Sequence, residues 1–225
     1  MDVFVNGIKL HYEKTGSGAP LILLHGNGES HEIFDEAIPL LAPHFTVYAV
    51  DTRGHGNSAP VPEYHYADMA QDVIALIRSL LQDRPVLYGF SDGGIVALLV
   101  GMLAPVLPAR IVASGVNISP RGLTPAFLRD AKREWRRTRD PLLALMLTEP
   151  HLTRRDLAAV TAPVTLTAGE HDLIRLRHTR RIAAAIGNCS LRILRGETHE
   201  SYIVHSPKIA RLLLEICTDS PAYGR

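Results

Sequence analysis

Residues 85–96, PVLYGFSDGGIV, decide how the chain is built. Pro85 to Phe90 is a short apolar run, of the kind a strand buried on both faces requires. From Asp92 the sequence DGGIVALLVGMLA is apolar over a helical length, and Ser91 stands at the joint. A strand that turns abruptly into a helix crowds its own corner. Gly89 and Gly93 relieve that crowding, because a side chain at either place would collide with facing backbone. The hydroxyl of Ser91 is lifted to the top of the sheet. There the free N–H groups and the positive dipole end of the following helix point at it. A G-x-S-x-G string alone is weak; its place between a buried strand and an apolar helix carries the meaning.

The same alternation extends in both directions. VFVNG and IKLHYEK read as a hairpin turning at Asn6-Gly7. PLILLHG, FTVYAVD, IVASGVN, PVTLTAG and SLRILRG read as further strands. SHEIFDEAIPLLAPH reads as one helix with Ser30 as N-cap, and YADMAQDVIALIRSLLQDR as a strongly amphipathic helix. LRHTRRIAAAIG and VHSPKIARLLLEICT are predicted as the last two helices. Strands alternating with helices predict an α/β fold with a mostly parallel sheet, the hairpin adding antiparallel edge strands. The rhythm breaks only at about residues 119–162, where two or three short helical pieces are expected.

Bulk properties narrow the function. The 225 residues carry a formal net charge of +1, which gives no sign of a nucleic-acid partner. The two cysteines, Cys189 and Cys217, form no CxxC and are expected to be reduced and buried. No signal peptide or membrane span is evident, so a cytoplasmic protein with no membrane partner is expected. No HExxH or His/Cys ligand motif occurs, and neither metal nor cofactor is expected.

Ligands in such sheets bind beyond the carboxyl ends of the strands. A nucleophilic serine there needs a base, and the base needs an orienting acid. In this strand–helix arrangement the order is Ser, acid, His. His199, in GETHES beyond SLRILRG, is the candidate base; His178 and His205 fall within predicted helices and are read as solvated. Asp172, in AGEHD, is the candidate acid, with Glu170 as its competitor and Asn117 where an alternative acid would stand. The oxyanion hole is expected from the backbone N–H groups of Asp92 and of Asn27, in HGNG, where Gly26 and Gly28 leave the backbone free to bend. His25 precedes Ser91, breaks the order, and is read as orienting its loop.

HGNG, DTRGHGNS, GFSDGG, AGEHD and GETH, in that order, resemble the α/β-hydrolase superfamily, in its esterase, lactonase and peroxidase-like branch. The resemblance implies an eight-stranded, mostly parallel sheet flanked by helices, with Ser91, Asp172 and His199 as a triad. It implies that Arg53 and His55, in the DTRGHGNS turn, are scaffold. It also implies a cap after the sixth strand, here small, inserted at about 119–162 into one domain of residues 1–225. Relatives of the haloalkane dehalogenase type use an aspartate nucleophile, and the serine argues against that chemistry. The implied activity is hydrolysis of small carboxylic esters or lactones through an acyl-enzyme, by a monomer or homodimer. A cofactor-free haloperoxidase or perhydrolase, an amino-acid-ester hydrolase and a non-catalytic ligand receptor are the alternatives.

Within the cap, PAFLRDAKREWRRTRD places Phe127, Leu128, Ala131 and Trp135 on one helical face. Arg129, Lys132, Arg133, Arg136, Arg137 and Arg139 crowd the rest, as a solvated face or as a guide for anionic substrates. Leu123, Phe127 and Met146 are the candidate substrate-binding wall.

Overall fold

Asn6 and Gly7 both adopt left-handed φ, 49° and 78°. A two-residue hairpin turn of this type demands that conformation at both central positions. They join β1 (Asp2–Val5) to antiparallel β2 (Ile8–Thr15). In this computed structural model, which describes residues 1–218, six parallel strands follow: β3 (Ala19–Leu24), β4 (Phe45–Val50), β5 (Val86–Phe90), β6 (Arg110–Ser114), β7 (Val164–His171) and β8 (Cys189–Thr198). The sheet order is β1-β2-β4-β3-β5-β6-β7-β8, and only the pairings of β1 and β2 are antiparallel.

The central strands are covered on both faces, which is why they read as unbroken apolar runs. Leu21 to Leu24 are wholly buried. Ile22 and Leu24 join one cluster with Met69 and Val73 of α2 (Tyr66–Leu80) and Val96 and Val100 of α3 (Asp92–Leu103). Leu21 and Leu23 pack oppositely, with Leu41 of α1 (Ile38–Leu41) and Ile209 and Leu213 of α8 (Lys208–Thr218). Ile182, on α7 (Leu176–Ala183), belongs to the first cluster. Cys217 is buried as expected, whereas Cys189 is only half-buried, and both thiols are free.

Several helical expectations need correction. The segment from Ser30 to His44 is not one helix. Ser30 caps a 3₁₀ turn at His31–Phe34, and only Ile38–Leu41 is α-helical. Pro39 is the cause: it has no N–H to give the carbonyl of Asp35, and its ring would clash there. The last helix begins at Lys208, after Pro207, because the residue before a proline is disfavoured in helical conformation. His205 therefore lies outside it, exposed, at φ 47°, with its Nδ1 2.9 Å from Asp35.

Between β6 and β7 the chain forms a 3₁₀ turn (Pro120–Gly122), α4 (Pro125–Thr138), α5 (Pro141–Thr148) and α6 (Arg154–Ala158). The first of these helices is longer than the short pieces expected. Among the described residues no helix is long and apolar enough to cross a membrane.

Candidate active site

Ser91 sits between β5 and α3 with φ 50° and ψ −113°. Such a conformation costs a non-glycine residue of order 1–3 kcal/mol. Its N–H is fixed by the carbonyl of Ser114, at 2.8 Å. A Cβ on Gly89 would run into the Gly93 carbonyl, and one on Gly93 into the Leu24 carbonyl. The facing backbone that these two glycines accommodate is thus the first turn of α3 and the end of β3.

The Ser91 hydroxyl donates to Nε2 of His199 over 3.0 Å, and Nδ1–H of His199 donates to Oδ1 of Asp172 over 2.7 Å. Asp172 is fully buried in its side chain, yet its carboxylate also accepts from the N–H groups of Ile174 at 2.8 Å and Gly169 at 3.3 Å. A buried charge is tolerated only when satisfied in this way. His199 leans against the ring of Phe90, with centroids 4.9 Å apart, and passes so close to Gly115 that a Cβ there would meet its ring at 2.6 Å.

Glu170 takes no part in this relay. It lies in β7 rather than in the loop beyond it, points to solvent, and accepts from the N–H of Gly196 at 2.9 Å. Asn117 donates to the Ser119 carbonyl. His178 is on α7 as expected but is not solvated. Its Nε2 accepts from the N–H of Ile118 at 3.1 Å, and burial, with the charges of Arg175 and Arg181, pushes its pKa down to about 4.

The loop after β3 is braced by histidines. His25 is buried; its Nδ1–H donates to the Gly26 carbonyl at 2.7 Å and its Nε2 accepts from the N–H of Thr52 at 3.1 Å. Burial and the neighbouring His55 push it down to about 4, so it stays a neutral strut. His55 Nε2 accepts from the N–H of Gly28 at 3.2 Å, and Arg53 forms two short hydrogen bonds, 2.7 and 2.8 Å, to Asp72.

Asp92 is the first residue of α3, where an N–H has no partner within the helix. Its carboxylate is buried and accepts from Asn27 Nδ2 and from the Tyr66 hydroxyl, each at 2.8 Å. Burial raises its pKa, and those two bonds oppose the rise. Asn27 Nδ2 also reaches the carbonyl of Leu142, on α5, at 3.2 Å.

These groups open into a cavity of about 150 Å³. Leu123, Phe127 and Met146 line it, with Leu173 and, besides Asp92, two further carboxylates, Glu29 and Glu200. Burial pushes Glu29 up to about 7, against the pull of its bond from the Gly26 N–H. None of the six cap cations lines the cavity. Arg133 and Arg137 pair with Asp130 and Glu134 of their own helix, and Arg139 covers the ring of Trp135. Sequence reasoning misses Tyr66, Glu29, Glu200 and Leu173. Glu29, Leu173 and Glu200 directly follow the recognised motifs HGNG, AGEHD and GETH, whereas Tyr66 stands beside none. The fold also brings together His11, Glu13 and His31, which no motif spacing announces. Their carboxylate partners are Asp2 and Glu13 for His11, and Asp51 for His31.

The sequence profile of the α/β hydrolase fold family matches residues 19–206. Among curated proteins the chain is similar to human serine hydrolase BPHL, 35% identical over 64% of this chain and 53% of that protein. It is also similar to a pimeloyl-[acyl-carrier protein] methyl ester esterase of Vibrio campbellii, 34% identical over 56% of this chain and 45% of that one. The chain thus spans about half the length of these relatives. Among solved structures, Est816, described as an N-acyl homoserine lactone degrading enzyme, superposes with a TM-score of 0.80 at 22% identity, covering 96% of this chain and 99% of that one.

Proposed function

The chain belongs to the α/β-hydrolase fold family, and from that premise we propose that it hydrolyses small carboxylic esters or lactones through an acyl-enzyme on Ser91. The observation that carries this reading is the relay of two short hydrogen bonds from Ser91 through His199 to the buried Asp172. Ser91 Oγ attacks the substrate carbonyl carbon while its proton passes to His199 Nε2. Asp172 holds the Nδ1–H tautomer and stabilises the imidazolium. The carbonyl oxygen becomes an oxyanion, received by the N–H groups of Asp92 and Asn27. The alcohol departs with the proton from His199. Water then attacks the acyl-enzyme by the same route, releasing the acid and restoring Ser91.

The pocket wall supports small acyl groups. The cavity holds about 150 Å³. That is below the range usual for drug-sized ligands. Its charged lining is acidic, so neutral esters suit it better than anionic ones. Residues 119–162 act in this reading as a short cap within one hydrolase domain, supplying Leu123, Phe127 and Met146. Relatives named as a serine hydrolase and a methyl ester esterase support this chemistry; the likeness to the lactone-degrading structure supports the fold alone.

The decisive experiment treats the protein with a fluorophosphonate and maps the adduct. The expected adduct is on Ser91. Ser91→Ala is expected to stay folded and to lose at least about 10⁴-fold in ester turnover. A folded Ser91→Ala protein with near wild-type turnover overturns the proposal.

A further inference from the structure

A second cavity, of about 550 Å³, lies against the first. The two share no lining residue, and neighbouring residues divide between them. Asn117 and Leu123 face the Ser91 cavity, whereas Ile118, Ser119 and Arg121 face the second. Leu173 belongs to the first and Arg175 to the second. The intervening wall is stitched by the Leu123–Ile174 bridge and by the Arg175 N–H, which donates to the Gly122 carbonyl at 2.9 Å.

Five arginines line this second cavity: Arg121, Arg154, Arg175, Arg177 and Arg181. No aspartate or glutamate is among its lining residues. By contrast, Arg53 is matched to Asp68 and Asp72, Arg133 to Asp130, and Arg137 to Glu134. Among the described residues, none of the five forms an ion pair. The buried Nε–H of Arg175 has no acceptor among the described residues. His178, on the same wall, is held neutral by burial and by its arginine neighbours, and adds no charge.

A chain of net charge +1 has no general excess of cations. The concentration is local: Arg175 is half-buried and the other four are exposed, and an anion seated among the five guanidinium groups would offset their mutual repulsion. Guanidinium forks match phosphate oxygens two at a time. A phosphate group offers three acceptor oxygens and up to two charges. The cavity volume lies in the range that encloses a small organic ligand rather than a lone ion.

We propose that this arginine-lined cavity is a binding site for a small molecule carrying two or more phosphate groups, separate from the ester pocket. The site draws its donors from three parts of the chain: the turn after β6, α6, and α7 with its N-cap Arg175. It would therefore clamp the cap's two ends to the segment that follows Asp172.

Isothermal titration of the whole protein with inorganic pyrophosphate tests this. Ionic strength is held fixed because exposed charges are screened over about 10 Å at 0.1 M salt. Saturable binding is expected, with a raised melting temperature. Arg177→Gln/Arg181→Gln is expected to weaken it at least tenfold, and so is Arg121→Gln/Arg154→Gln, which removes the charges contributed by the turn after β6 and by α6. Arg133→Gln/Arg137→Gln, on the cap's outer face, is expected to leave it unchanged. Absence of saturable binding overturns the site. So does equal weakening by the outer-face pair, or no weakening in folded protein by either cavity pair. Equally tight binding of citrate overturns the assignment to phosphate.

Discussion

Asn27 and Asp92, the two residues proposed to supply the oxyanion-hole N–H groups, are tied to each other by a 2.8 Å side-chain hydrogen bond. The backbone of one loop is thereby registered against the first turn of α3. The same Asn27 amide also holds the Leu142 carbonyl of the cap, so one side chain couples the hole, the helix that follows Ser91 and the cap.

Asn27→Ala is expected to lower kcat with little change in KM, because it retains the backbone N–H but loosens where that group points. An interaction that matters only as charge develops on the oxygen shows itself in this split. The change also leaves the buried Asp92 carboxylate with Tyr66 as its remaining side-chain donor. Losing one partner of a buried acceptor should cost about 1–3 kcal/mol of stability. Steady-state kinetics beside a urea melt measure both. A variant with raised KM and unchanged kcat would place Asn27 in substrate binding instead.

Asp172 and Glu170 lie two residues apart and should behave differently. Asp172→Asn removes the charge facing the imidazolium and can favour the wrong tautomer; the analogous change in a serine protease lowers kcat by about 10⁴. Glu170→Gln keeps an acceptor for the Gly196 N–H. It should cost less than about threefold, as surface substitutions generally do little. Rates of a chromogenic ester with both folded variants decide the matter, and a larger loss from Glu170→Gln would refute the assignment.

Much of this arrangement was legible in the sequence because it depends on local chain geometry. Gly89 and Gly93 announced the tight corner at Ser91, and the buried strands announced a sheet whose upper rim collects strand-end residues. Asp172 and His199 each follow such a strand, so chain order placed them. What escaped depended on long-range contact. Tyr66 meets Asp92 only because α2 packs beside α3, and no local signal marks it. The arginines of the second cavity come from three separated segments, so no single stretch of sequence shows them as a cluster. The split of the helix after Ser30 was signalled by Pro39, but the apolar periodicity of Ile33, Phe34, Ala37 and Leu41 hid it; those residues are buried all the same, by a turn and a short helix instead of one rod.

Glu29 gives a pH signature. Burial raises its folded pKa from 4.5 to about 7. Between those values the folded chain holds a proton that the unfolded chain has released. Stability therefore falls as pH rises through that window, and the penalty is fully present above about 7. Glu29→Gln keeps a side-chain acceptor for the Gly26 N–H without the charge. The variant should lose less melting temperature than wild type between about pH 5 and pH 8. Parallel melting curves for the two proteins across that range would show that Glu29 ionises without cost.

Pocket size and charge make the last prediction. Met146 stands on α5 and lines the Ser91 cavity, and in the proposed reading its side chain limits how far an acyl group can extend. One methylene in an apolar pocket is worth about 1–3 kcal/mol of discrimination. Wild type should therefore prefer acetyl and propionyl esters to octanoyl esters in kcat/KM. Met146→Ala should move that preference toward the longer chain by about tenfold. The carboxylates of Glu29 and Glu200 in the same cavity should disfavour an acyl group that itself carries a carboxylate. A hemisuccinate ester should then be a poorer substrate than the butyrate ester of similar length, and the gap should narrow in Glu200→Gln. The cap cations Arg133 and Arg137 should not matter to this contrast, since they lie outside the cavity lining and pair with Asp130 and Glu134. A wild-type preference for octanoyl over acetyl esters would overturn the small-pocket reading, whereas a preference for the hemisuccinate that vanishes in Arg133→Gln/Arg137→Gln would restore the cap helix as a guide for anionic substrates.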